Sequence, residues 1–322
     1  MRLLITGSNG MLGTALCGVL SKKHKVMGMD VVRVIPRLRS GQEGHPSTSL
    51  PSASLGTGGT GEAGVKEFHE ADITDPERVK DIFAETVPDV VVHTAAWTDV
   101  DGCEKDPEKA EAVNVGGTAN IVNAAASAGV PIIFISTDYV FNGDQAEPYT
   151  ENDMPDPLSV YGRTKYEAEE AVRSGLSDYL IVRTSWLYGK NGKNFVDTII
   201  LKAEQGGVLE VASDQTGSPT YAEDLADALV ELIESGLSGI RGIVNISNEG
   251  KCSWFEFACE ILKKQGIEIK VKAVSSEKIG RPAKRPSFSV LNNEKFAKIT
   301  GHTMRSWKEA LCEYLKERQE AK

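Results

Sequence analysis

At 322 residues the chain is long enough for one large domain or two coupled ones. Its 40% hydrophobic and 25% charged residues are the balance of a globular protein, and a formal net charge of −10 argues against a nucleic-acid footprint. Five scattered cysteines (Cys17, Cys103, Cys252, Cys259, Cys312), never spaced C-x-x-C, argue against a disulfide framework or a zinc site and suit a reducing cytoplasm. The start MRLLITGSNG lacks a signal peptide's apolar core, and no apolar run approaches a membrane span. The expectation is a cytoplasmic protein with no membrane partner and no metal.

The first strand candidate, RLLIT (2–6), runs straight into Gly7-Ser8-Asn9-Gly10-Met11-Leu12-Gly13. In this spacing Gly7 permits a tight turn and Gly10 lets the backbone approach a pyrophosphate. Gly13 lets the following helix pack close to the strand, with its N-terminus facing the phosphate charge. Strand, glycine turn and helix in that order are the context that gives the motif weight. We read residues Gly7 to Gly13 as one wall of a dinucleotide site.

The second strand, KVMGMD (25–30), ends on Asp30, where an acid hydrogen-bonds adenine ribose hydroxyls and favours NADH. Arg33, three residues on, is either a partner for a 2′-phosphate or a solvated loop charge, so NADPH and NADH both stay open. Residues 33–64, rich in Gly, Ser and Pro, interrupt the pattern and cannot bury enough apolar surface to order themselves. They read as a mobile insertion, either a dispensable loop or a lid. Deleting Arg37 to Gly64 is expected to leave the thermal midpoint within a few degrees, and a collapse on melting would contradict this.

Strands EFHEAD (67–72) and DVVVHTA (89–95) follow, with helical DPERVKDIFAETV between them. Asp72 is placed to face the adenine amino group. Ala95, Ala96 and Thr98 are small enough for a cofactor to lie against the backbone, and Trp97 is either core or cofactor wall. DPEKAEAVNVGGTANIVNAAASAG reads as one helix from Asp-Pro to a glycine, leading to strand PIIFIST (131–137). Strands of such a sheet deliver their carboxyl ends to the ligand crevice, so Ser136, Thr137 and Asp138 belong near a nicotinamide.

SVYGRTKYEAEEAV (159–172) then sets Tyr161 four residues before Lys165. That spacing alone is weak, since a chain this long shows on the order of one accidental Y-x-x-x-K. On a helix the two share a face, and a lysine ammonium beside a phenol lowers its pKa, making it a usable proton donor. With a dinucleotide site already argued, the pair reads as catalytic. Strand YLIVRTS (179–185) closes the alternating half, and helices with short strands fill the remainder. The expected architecture is α/β: a Rossmann-type, doubly wound parallel sheet (1–188) with a smaller mixed α/β substrate lobe (189–322).

These residues resemble the extended short-chain dehydrogenase/reductases, and within them the dTDP-4-dehydrorhamnose reductase family. The resemblance runs nearly full length, through TGSNGMLG, ISTDYVFNG, PLSVYGRTKYEAE, VRTSWLYG, SDQTGSPTYAEDLA and RPAKRPSFSVLNNEKF. It implies a catalytic triad of Thr137, Tyr161 and Lys165, with Thr137, Asp138 and Trp186 touching the sugar. It also implies that Gly10 to Leu12, Asp30, Asp72, Ile73 and Ala96 to Thr98 line the cofactor. The implied reaction is hydride transfer from NADPH or NADH to C4 of a dTDP-4-keto-6-deoxy sugar, giving dTDP-L-rhamnose. The insertion after Asp30 departs from the family pattern and puts the adenosine-side contacts in doubt.

Dehydratases of the same superfamily carry Thr-Asp-Glu after the fifth strand, whereas this chain has Thr137-Asp138-Tyr139, which disfavours elimination. Arg281, Lys284 and Arg285 form either a diphosphate fork or a solvated charge cluster. A competing expectation is a binding subunit resembling the regulatory subunit of methionine adenosyltransferase, which works by association. The oligomer is left open between monomer and homodimer.

Overall fold

The computed structural model describes residues 1–31, 65, 67–236 and 241–320. The stretch 33–64, with Arg33 and the expected insertion, lies outside the described residues. In chain order the first half contributes β1 (Arg2–Thr6), α1 (Met11–Leu20), β2 (Lys25–Asp30), β3 (Glu67–Glu70), α2 (Pro76–Thr86) and β4 (Val90–His93). It continues with α3 (Val100–Lys105), α4 (Pro107–Glu111), α5 (Thr118–Ala128), β5 (Ile132–Thr137), α6 (Val160–Gly175) and β6 (Tyr179–Thr184).

The second half opens with β7 (Leu187–Tyr188), α7 (Phe195–Glu204), β8 (Val208–Ala212), β9 (Thr216–Gly217), β10 (Thr220–Tyr221), α8 (Ala222–Glu234) and β11 (Gly242–Asn245). It ends with β12 (Cys252–Ser253), α9 (Trp254–Gln265), β13 (Lys270–Val274), α10 (Ser276–Ile279), α11 (Glu294–Thr300) and α12 (Trp307–Glu320).

Among the described residues, seven strands form one parallel sheet in the order β11-β6-β5-β4-β1-β2-β3. The strands are apolar on both faces because helices cover both. Leu3, Ile5, Val90 and Val92 pack with α1 and α8 on one side. Leu4, Val91, Ile132 and Ile181 pack with α2, α5 and α6 on the other. The order reverses between β1 and β4, which opens a crevice at the carboxyl edge.

The chain returns to this sheet after residue 188: β11 pairs with β6, and α8 packs against α1. Helices α7, α9 and α12 form their own core around Tyr188, Phe257, Trp307 and Leu311, while α11 packs on β11 and α8 through Phe296.

Local rules explain the helix ends. Asp75 caps α2 by accepting from Arg78 N with Pro76 at the first position, and Ser253 with Glu256 forms a capping box at α9. The helix expected over 106–129 is interrupted. Ala112–Gly117 forms a π-turn between α4 and α5, a local widening that commonly marks a functional position.

Candidate functional site

A cavity of about 960 Å³ opens at the carboxyl edge of the sheet. Its floor is the turn after β1. Gly7 sits at φ +68°, and a Cβ there would lie 2.7 Å from the Ala95 nitrogen. A Cβ on Gly13 would collide with the Gly7 carbonyl and with Ser8. These two positions admit no side chain, so the turn stays flat against the β4 loop and the α1 N-terminus faces the cavity. This cradle fits a dinucleotide diphosphate.

Asp30 closes the same end. Its Oδ2 accepts from the Asn9 backbone N–H at 2.9 Å and its Oδ1 from that of Val31 at 2.8 Å. Each oxygen keeps acceptor capacity for a ribose hydroxyl. Asp72 lies two residues beyond β3 rather than at its end, and accepts from the Thr74 backbone N–H and hydroxyl at 2.9 Å each.

The opposite wall is held by Asn114, which the π-turn presents. Its Oδ1 accepts from Trp97 N at 2.8 Å, and its Nδ2 donates to Thr164 Oγ1 at 3.1 Å. It therefore ties the Ala95–Thr98 loop to α6. Trp97 is both things the sequence left open. It packs with the small Cys103–Ala110–Tyr161 cluster and also lines the cavity.

The catalytic candidates converge at the inner end. Ser159 caps α6 by accepting from Gly162 N at 3.1 Å, which starts the helix one residue before Tyr161. Tyr161 is 9% exposed and Lys165 3% exposed, and both line the cavity with Thr137. The Thr137 hydroxyl donates to Asp138 Oδ1 at 3.1 Å and accepts from Tyr139 N at 3.2 Å.

Burial pushes the Tyr161 phenol well above its ordinary value, with the Thr137 hydroxyl pulling the other way. Burial outweighs the lowering by Lys165 expected from the spacing. The Lys165 ammonium donates to the Ile135 carbonyl at 2.7 Å and sits 4.1 Å from the Phe134 ring centroid. The phenol is therefore protonated near neutral pH, the state a proton donor needs. Burial also raises the Asp138 carboxyl to about 7, opposed by the Ser289 and Thr137 hydroxyls.

Trp186 enters the cavity with φ +46°, its ring stacked on Trp254 at 3.5 Å and 5°. Trp254 lines the same cavity and was not singled out in the sequence, although the Ser253–Glu256 capping box marks it as the first residue of a helix. Lys193 is a second lining residue without a sequence signal.

All the expected cofactor residues line the cavity, together with Thr137, Tyr161, Lys165, Asp138 and Trp186. Arg281 and Arg285 do not. Asp101, on α3, accepts from Arg285 Nη2 at 3.0 Å and from Arg281 Nη1 at 3.5 Å. Arg285 is thus held by a carboxylate, while Arg281, 55% exposed, and Lys284 face solvent.

A protein-family model described as the RmlD substrate binding domain matches residues 1–320. The chain belongs to that family. A spore coat polysaccharide biosynthesis protein, SpsK, of Bacillus subtilis is 37% identical over 320 residues, covering 99% of each chain. A solved dTDP-4-dehydrorhamnose reductase from Clostridium acetobutylicum is 37% identical with a TM-score of 0.83, covering 99% of this chain and 100% of that one. Another from Bacillus anthracis, solved in complex with NADP, is 33% identical with a TM-score of 0.81, over 98% and 99% of the two chains. Each matches this chain over almost its whole length.

Proposed function

We propose that this chain is an NAD(P)H-dependent reductase acting on the C4 keto group of a dTDP-4-dehydro-6-deoxy-L-sugar, with dTDP-L-rhamnose as product. The observation that carries it is convergence: the glycine cradle and the Thr137–Tyr161–Lys165 group face one cavity. Family membership over residues 1–320 supports the substrate class.

NADPH or NADH, when bound, supplies the hydride. Gly7 to Gly13, Asp30, Asp72, Ile73 and Ala95 to Thr98, which line the cavity, would hold it. Tyr161 gives its phenolic proton to the oxygen that develops charge at C4. The Thr137 hydroxyl orients that oxygen, and Lys165 places a positive charge beside it. Asp138 and Trp186 position the sugar. The pairing of Arg285 with Asp101 means that a substrate diphosphate would have to displace a carboxylate to reach it.

No helix among the described residues is long and apolar enough to cross a membrane. The five cysteines are free, which supports a reducing, cytoplasmic location.

Both cofactors are expected to work within roughly tenfold of each other, about 1.4 kcal/mol. Asp30→Ala is expected to shift the preference toward NADPH, because the acid repels a 2′-phosphate. It also removes the acceptor for the Asn9 and Val31 N–H groups, so affinity for both cofactors is expected to drop. A ratio of kcat/KM values that does not change would mean that Asp30 does not face the ribose.

The test of the whole reading is oxidation of NADPH and of NADH with the keto-sugar generated in situ from dTDP-glucose by upstream enzymes. Measurable nucleotide binding without turnover would instead favour the binding-subunit alternative.

A further inference from the structure

Beyond Lys165, the same face of α6 continues to Glu169, so Tyr161, Lys165 and Glu169 recur every fourth residue. Glu169 is 0% exposed and Arg183, on β6, is 1% exposed. Glu169 Oε1 accepts from Arg183 Nε at 2.9 Å and from the Ser136 hydroxyl at 2.5 Å. Its Oε2 accepts from Arg183 Nη2 at 2.6 Å. Such a two-pronged, fully buried pair is held in one geometry, and its bond from Ser136 ties it to the residue before Thr137.

Lys165 gives up its hydration for a carbonyl and an aromatic ring. Neutral contacts of that kind do not by themselves keep a buried ammonium charged. The titratable and charged groups facing it come from three neighbouring elements and its own helix. His93, on β4, sits between the Thr6 and Thr118 hydroxyls at 2.6 and 3.0 Å, and burial pushes it down to about 3, so it is neutral. Ser136 on β5 and Tyr161 on α6 are also neutral. Arg183 is a cation answered by Glu169. Among these groups Glu169 is the carboxylate.

We propose that Glu169 is a positioning residue of the reaction: it keeps Lys165 cationic, while Arg183 and Ser136 hold Glu169 in place. The proposal rests on the reductase reading for its consequence in turnover. It is consistent with the balance at Lys165, where burial pushes the ammonium down to about 7 and Glu169 pulls it up. A cation that loses this support sheds its proton at lower pH, so activity is lost earlier as pH rises.

The test is an NMR titration of protein carrying ¹³C at the lysine ε-carbons, with the Lys165 resonance assigned by its loss in Lys165→Met. The wild-type midpoint is expected near 7. Glu169→Gln is expected to lower it by about one unit or more, and to move the alkaline limb of the kcat profile down with it. Glu169→Asp, which keeps the charge, is expected to restore most of both.

If Glu169→Gln does not fold, Glu169→Gln/Arg183→Met removes the stranded guanidinium and is expected to shift the midpoint in the same direction by a smaller amount, because the repulsion from Arg183 is lost as well. A folded variant whose midpoint moves by less than about 0.3 unit overturns the proposal. So does a wild-type midpoint below about 5, since Glu169 would then not be keeping the ammonium charged. Absent wild-type turnover with the expected titration shifts overturns the reductase reading alone.

Discussion

Tyr161→Phe is expected to lower kcat by about 10²- to 10⁴-fold, the range for losing a general acid, while cofactor affinity stays close to wild type. The ring is packed with Cys103 and Ala110 and meets Tyr139 edge-on at 5.8 Å and 79°. Phenylalanine preserves those contacts and removes the transferable proton. The phenol lies at the inner end of the cavity with Thr137, so the diphosphate cradle around Gly7 to Gly13 is untouched. Single-turnover rates with cofactor titrations on the same samples separate the two effects. Retention of more than about a tenth of wild-type turnover would make the 161–165 pair structural.

Lys165→Met is expected to act on both measurements. Methionine replaces the apolar stem but loses the ammonium and its bond to the Ile135 carbonyl, 2.7 Å long. A hydrogen bond from a charged donor is worth about 1.5–3 kcal/mol. If the ammonium also holds the nicotinamide ribose, cofactor dissociation constants rise by roughly 10- to 100-fold. At the same time kcat falls by at least about 10²-fold. Fluorescence titration with NADPH and NADH measures the first effect and steady-state turnover the second. A fall in kcat with unchanged cofactor binding would restrict Lys165 to the proton-transfer side.

The alternating half of the fold was legible because its signals are local. Continuous Val/Ile/Leu runs such as VVVH and IIFIST are what two-sided burial requires. The turn after RLLIT announces its own geometry through glycine. Asp-Pro pairs marked the starts of α2 and α4.

What escaped the reading depends on distant partners. GIVN is a four-residue strand whose place beside β6 is set by pairing Gly242 with Leu180 and Asn245 with Arg183. Nothing in those four residues specifies that neighbour. The π-turn at 112–117 exists so that Asn114 meets Trp97 and Thr164, contacts 17 and 50 residues away.

The site divides along the same line. Tyr161, Lys165 and the glycine turn carry spacing signals, and the structure gathers them into one cavity. Trp254 reaches that cavity from a helix nearly 70 residues after Trp186, by stacking on it. The pairing of Arg281 and Arg285 with Asp101 spans about 180 residues, so their charge could be read but not its partner. The expected pKa-lowering of Tyr161 is outweighed by burial, which spacing does not reveal. Spacing placed the ammonium on the correct helix face, but the nearby Ile135 carbonyl captured it.

The most direct test is transfer of label from cofactor to sugar. Wild-type protein is incubated with the dTDP-4-keto-6-deoxy sugar and with NADPH or NADH deuterated at the transferable C4 position. The expected product is dTDP-L-rhamnose carrying one deuterium at sugar C4, formed mole for mole with oxidised cofactor. Cofactor binding without label at C4, or label at another carbon, would contradict it.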